Sequence, residues 1–156
     1  MNIDNTILED TPVRAMTPDR IVRTALAAWK QGDLAEFVDQ FNDKFKFTDQ
    51  ALGLEFTKKG RLTEFLVKLS ERFPDSERKV NRIFSSGNRV ISEWTLTATE
   101  TKPFLGNRIL KVPICIQGIS VVQIENGKIS EWSDYYEQLK SRRYVIAGWF
   151  TELIEL

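Results

Sequence analysis

The sequence predicts an α+β fold, with helices first and a meander of long antiparallel strands after them. Three observations carry this. Ile21, Val22, Ala25, Leu26, Ala28 and Trp29 keep a 3.6-residue apolar period. The run 112–125 and the run 128–136, both crowded with β-branched and aromatic residues, flank Asn126-Gly127, the pair that supplies two positive φ angles to a type I′ hairpin turn. A second tight-turn signature, Ser86-Gly87-Asn88, separates two more extended segments, about 77–85 and 89–100.

Residues 1–16 are polar, contain Pro12 and show no period, and read as a flexible lead-in. Thr17-Pro18-Asp19 then supplies an N-cap, a proline at the first helical position and an acid in the first turn. Gly32 ends that helix, and Asp33 caps a second one, with Glu36 placed as in a capping box and Leu34, Phe37, Val38 and Phe41 as its buried stripe. A short strand over 45–49 follows. A third helix uses Leu62, Phe65, Leu66 and Leu69 and stops before Pro74. After the strand pair, residues 101–110, with Pro103 and Gly106-Asn107, read as a connection to the long hairpin. From about Glu137 the chain turns helical again, with Tyr144, Val145, Trp149, Phe150, Leu153 and Ile154 on one broad stripe that needs a partner surface. The organisation expected is a domain over 17–137 and a C-terminal helix over 138–156, packed on that domain or on a dimer partner.

Composition excludes several classes of function. The 156 residues hold 22 basic and 22 acidic side chains with no basic cluster, so no phosphate-backbone footprint exists and nucleic acid is not an expected partner. No apolar run approaches the roughly 18 residues of a membrane helix, and the first residues lack the parts of a signal peptide; cytoplasm is the expected location. The single cysteine, Cys115, reads as a small buried hydrophobe. Histidine is absent, which removes the usual general base, the commonest metal ligand and every Ser/His or Cys/His pair. Acid–base chemistry falls to carboxylates, Lys or Tyr, and no metal or organic cofactor is expected.

Parity then sorts the strands into faces. Val112, Ile114, Ile116, Gly118, Ser120, Val122 and Ile124 share the more apolar face of one hairpin strand, and the other offers either Ser130, Trp132, Asp134 and Tyr136 or Ile129, Glu131, Ser133 and Tyr135. The first of these sets carries a carboxylate between two aromatics, with no basic residue near it in sequence. An acid on an apolar face must be paired, hydrogen-bonded or neutralised, so Asp134 is a candidate proton carrier. Asp49, at a strand end, is a second candidate, its ordinary alternative being a turn-former or helix cap. Tyr136 is placed to donate to a developing oxyanion. Trp94 shares a face with Ser92, Leu96 and Ala98 and should point inward. Trp94, Leu96, Trp132, Ser120, Phe47 and Ile116 are the candidate ligand-lining residues; for Trp94, Trp132 and Phe47 the ordinary alternative is core packing.

Residues 27–34 (AAWKQGDL), 47–53 (FTDQALG), 87–90 (GNRV), 94–97 (WTLT), 119–121 (ISV), 126–129 (NGKI) and 132–136 (WSDYY) together resemble the SnoaL-like branch of the NTF2-like superfamily, over about residues 17–137. The resemblance implies a cone of curved antiparallel sheet around helices, an apolar pocket in the cone, and a homodimer through the sheet. Its members include polyketide cyclases, ketosteroid isomerases, limonene epoxide hydrolases and non-catalytic binding modules, so fold alone does not select an activity. Matched through Gly32-Asp33, Asp49 stands where ketosteroid isomerases keep their general base, but Ala25 stands at their oxyanion tyrosine and their partner acid falls near Ser120. Asp134 falls near an acid of the epoxide hydrolases and cyclases, whereas the Arg and Asp on the preceding strand of those hydrolases are Trp94 and Leu96 here. Two functions are therefore expected in competition. One is a cofactor-independent cyclase or isomerase acting on a small apolar carbonyl compound through Asp134 and Asp49. The other is a binding or accessory module whose pocket holds a small apolar ligand without turnover.

Overall fold

The computed structural model describes residues 16–104 and 108–137. The lead-in up to residue 15 and the expected C-terminal helix over 138–156 lie outside the described residues. Helix α1 spans Pro18–Gln31, α2 Leu34–Asp39 and α3 Lys59–Arg72; the strands are β1 Phe41–Asp49, β2 Leu54–Phe56, β3 Glu77–Ser86, β4 Arg89–Phe104, β5 Arg108–Glu125 and β6 Lys128–Tyr136. The α+β class holds. One six-stranded sheet, in the order β2-β1-β6-β5-β4-β3, curves around the helices.

The helix boundaries follow local chemistry. Pro18 fixes φ at the first turn of α1, and Gly32, at φ 75°, returns its N–H to the carbonyls of Ala28 and Trp29. Asp33 Oδ1 accepts from the Glu36 N–H at 3.0 Å to cap α2. The reciprocal half of the capping box is replaced: Glu36 Oε1 accepts from Gln40 Nε2 at 2.6 Å. Helix α2 ends at Asp39, so Phe41 leaves the stripe expected of it and opens β1, four residues ahead of the expected strand start. Its ring still packs on Phe37, centroids 5.2 Å apart.

Three features of the sheet differ from the sequence reading. Strands β4 and β5 continue their ladder to Phe104↔Arg108, so most of the expected 101–110 connection is strand. The pairing of β1 with β6 is parallel, placing Phe47 opposite Trp132 and Asp49 opposite Asp134. In the hairpin, Gln123 pairs with Glu131 while Ile124 pairs with Ile129, a bulge that leaves Ser130 as the extra residue. Ile129 thereby turns into the core and is fully buried, although simple alternation groups it with Glu131, Ser133 and Tyr135. Cys115 also departs from expectation. It is exposed on the outer face of β5, where alternation with the buried Ile114 sends it.

The concave face buries a core of Ile21, Val22, Ala25 and Leu26 from α1, Phe37 and Val38 from α2, Leu62, Phe65 and Leu66 from α3, and Phe47, Val90, Val122 and Trp132 from the sheet. Phe47 and Trp132 stack with centroids 6.4 Å apart and an interplanar angle of 14°. A second, smaller cluster of Phe73, Ala98 and Ile114 forms further along β4 and β5, with Leu69 and Ile116 against it.

Candidate functional site

The register writes the concave face as a series of rows. Val90, Val122, Trp132, Phe47 and Phe56 form an apolar row. The next row is polar: Ser92 lies opposite Ser120, Ser120 opposite Asp134, and Asp134 opposite Asp49. Trp94, Gly118 and Tyr136 make a third, and Leu96 with Ile116 a fourth. All members of the polar row are buried, Asp49 at 7% and Asp134 at 5% exposure. The polar row and the Trp94/Tyr136 row fall between the two apolar clusters.

Asp134 has found a basic partner that its sequence neighbourhood did not offer. Arg78 of β3, its side chain 7% exposed, forks onto the carboxylate, with Nη2 3.1 Å from Oδ1 and Nη1 3.3 Å from Oδ2. Oδ1 also accepts from Trp132 Nε1 at 2.8 Å and from the Ser120 hydroxyl in a short bond. Ser120 Oγ in turn accepts from Trp94 Nε1 at 2.9 Å and from Arg78 Nη2 at 2.6 Å. The guanidinium lies 4.1 Å from the centroid of Trp94 and 5.1 Å from that of Trp29, within cation–π range of both. Gly118 makes this stack possible, because a Cβ there would sit 2.5 Å from the Trp94 ring and 2.7 Å from the Tyr135 carbonyl oxygen.

Asp49 is built differently. It ends β1, and its Oδ1 accepts the N–H of Leu52 at 2.9 Å, so it does close the turn into β2. Its other oxygen, Oδ2, accepts from the Tyr136 hydroxyl at 2.9 Å. Burial is the largest influence on this carboxyl group and pushes its pKa up to about 6, against the lowering effect of the Leu52 N–H and the Tyr136 hydroxyl; the nearby negative charge of Asp134 adds to the rise. The Tyr136 phenol is pushed up as well, by burial first and then by the charge of Asp49, which keeps it a donor at neutral pH.

Asp49, Tyr136, Asp134, Ser120, Trp94 and Trp132 are thus brought together. Phe47 is held in the core behind Trp132, both rings essentially without exposure. Leu96 and Ile116 face each other one row beyond Tyr136 and are half-buried. Arg78 is the residue that the sequence reading passed over. Its one signal was parity, since it alternates with Val80 toward the concave face. Trp29, on the apolar stripe of α1, packs against the core and also covers this cation. A second ion pair stands beside the smaller cluster, where Arg72 Nη2 lies 3.2 Å from the fully buried Glu100 carboxylate. Among the described residues no group of three or more His, Cys, Asp or Glu side chains is arranged to hold a metal ion, and no helix is long and apolar enough to cross a membrane.

Solved structures share this architecture. An NTF2-like protein of unknown function from Burkholderia pseudomallei K96243 superposes with a TM-score of 0.69 at 16% identity, covering 83% of this chain and 98% of the other. A protein with a ketosteroid isomerase-like fold from Catenulispora acidiphila DSM 44928 gives 0.66 at 16% identity, covering 78% and 88%. TerC, co-crystallised with polyporic acid, gives 0.64 at 14% identity, covering 90% and 100%. At these identities the likeness is one of fold. No curated protein matches in sequence. The model of the SnoaL-like polyketide cyclases, however, matches residues 19–144, which takes in every element from α1 to β6. On that match, the chain belongs to the SnoaL-like polyketide cyclase family.

Proposed function

We propose that this protein is a cofactor-independent acid–base enzyme that acts on a small apolar carbonyl compound, with Asp49 as the proton carrier. The observation that carries this reading is the Asp49–Tyr136 pair: a buried carboxyl group with its pKa raised to about 6, touching a phenol that remains a donor. A base poised near neutrality suits abstraction of a proton from carbon next to a carbonyl. In this scheme Asp49 takes that proton, Tyr136 turns its hydroxyl toward the developing enolate oxygen, and Asp49 returns the proton elsewhere on the substrate as a double bond moves or a ring closes. The half-buried Leu96 and Ile116, with Trp94, offer the apolar wall for the substrate body.

Asp134 takes a different part from the one its sequence position suggested. Its oxygens already accept from Arg78, Ser120 and Trp132, so it serves as the fixed polar floor beside Asp49 rather than as the group that exchanges a proton. The co-crystallisation of TerC with polyporic acid supports a small organic ligand for this kind of fold. The rival reading, a non-catalytic binding module, draws support from the same saturated network, which would serve equally to shape a binding pocket.

The deciding experiment pairs binding with turnover. Carbonyl compounds are first screened for raising the melting temperature, and hits are then assayed with wild type, Asp49→Asn and Asp134→Asn. The expected result is a loss of turnover of about 10²–10⁴-fold in Asp49→Asn with ligand binding retained. Undiminished turnover in Asp49→Asn would remove Asp49 from the chemistry. A tightly bound compound that the wild type leaves unchanged would establish the binding module.

A further inference from the structure

Two acids that face each other across neighbouring strands compete for ionisation. Asp49 and Asp134 are register partners on β1 and β6, and both are buried. Two like charges so placed in a poorly solvated site force one group to stay protonated unless a cation intervenes. The cation present is Arg78, and it is committed wholly to one side: both terminal nitrogens engage Asp134, one of them also reaches Ser120, and neither reaches Asp49. Trp94 and Trp29 pack against the guanidinium, and the Ser120 hydroxyl, itself held by Trp94, pins the same carboxylate.

We propose that Arg78 is a positioning residue for Asp49: by neutralising Asp134, it leaves Asp49 as the carboxyl group of the polar row that is able to exchange a proton. This role rests on Asp49 being the proton carrier, and it extends that reading by assigning control of the carrier to a residue on the far strand of the sheet. The groups that bear on Asp49 are few. Strand β6 presents Asp134 and Tyr136, and the turn after β1 presents the backbone N–H groups of Leu52 and Ala51. Strand β2 places Leu54 at the same register. Strands β5 and β3 act from behind Asp134, through Ser120 and Arg78. Helices α1 and α3 turn Ile21, Val22, Leu62 and Phe65 into the core.

The test is a titration of the Asp49 side-chain carboxyl carbon by NMR in ligand-free protein, with the signal assigned by its loss in Asp49→Asn. The midpoint should move up by about one pH unit or more in Arg78→Gln, where the Asp134 charge is left bare, and down by a similar amount in Asp134→Asn, where the Arg78 charge is left bare. Arg78→Lys, which keeps the cation, should stay nearer the wild type than Arg78→Gln does. A purely structural role for Arg78 predicts shifts without this reversal of sign. If Arg78→Gln does not give a folded spectrum, Arg78→Met combined with Asp134→Leu takes its place: with cation and anion removed together the midpoint should stay within about 0.3 unit of the wild type, and a downward shift as large as that of Asp134→Asn overturns the proposal. Midpoints that move the same way in both single variants, or by less than about 0.3 unit in either, overturn the proposal. Turnover does not enter this measurement: unchanged midpoints together with lost activity in Asp49→Asn would sink the role of Arg78 while leaving Asp49 as the proton carrier.

Discussion

Asp49 and Asp134 stand opposite each other across the parallel β1–β6 pairing, and each meets the cost of burial in its own way. Asp134 is held as one half of a buried ion pair with four donors, while Asp49 keeps a phenol and the backbone N–H groups of the turn that follows it. Their difference, rather than either acid alone, gives the site its character.

Burial of Asp49 has a measurable consequence for stability. Its folded-state pKa of about 6 lies above the ordinary 3.8, so the folded protein binds the proton more tightly than the unfolded chain does. The contribution of this group is therefore fully present below pH 4 and is lost as pH rises through about 6. Asp49→Asn keeps an oxygen for the Leu52 N–H and carries no charge. In urea unfolding it should exceed the wild type by about 1–3 kcal/mol at pH 8, with the gap closing toward pH 4. A variant equally destabilised at both pH values would contradict the shift.

Removing one half of the Arg78–Asp134 pair leaves an uncompensated charge in the core. Arg78→Met and Asp134→Leu should each destabilise by about 3–5 kcal/mol, whereas the two combined should cost much less than the sum of the single changes. Chemical denaturation of all four proteins supplies the cycle. Additive losses would mean that the two side chains do not sense each other.

Gly118 is needed for the space it leaves. Gly118→Ala places a methyl group against the Trp94 ring and the Tyr135 carbonyl, so the indole must move and its bond to Ser120 must lengthen. The expected cost is about 1–3 kcal/mol, accompanied by a change in tryptophan fluorescence. An unchanged spectrum and stability would show that the backbone absorbs the methyl group without moving Trp94.

The outer face of the sheet carries Phe84, Ile91, Ile119 and Tyr135, all exposed, and the register makes them neighbours: Phe84 pairs with Ile91, and Ile119 with Tyr135. An apolar patch of this kind commonly marks an interface. The homodimer expected from the sequence would use it. Light scattering should give twice the 18.1 kDa chain mass, and Ile119→Lys should return the monomer. A wild-type monomer at micromolar concentration would be the contrary result.

What the sequence determined by itself is whatever depends on consecutive residues. The 3.6-residue period set α1 and α3, Asn126-Gly127 set the hairpin, and period-two alternation turned Trp132 and Asp134 inward, with Trp94 beside them. Tertiary structure decided the partners. Alternation shows which way a side chain points and is silent about what lies across the sheet. Arg78 and Asp134 sit on β3 and β6, with β4 and β5 between them. In a flat sheet those strands would be roughly 14 Å apart, too far for a two-point contact; the curvature forced by wrapping the sheet around three helices, and the bare Gly118 between them, close the distance. The bulge at Ser130 and the parallel joining of β1 to β6 are of the same kind. Both are fixed by packing over the whole concave face, so Asp49 meets Tyr136 through contacts that no local run of residues encodes.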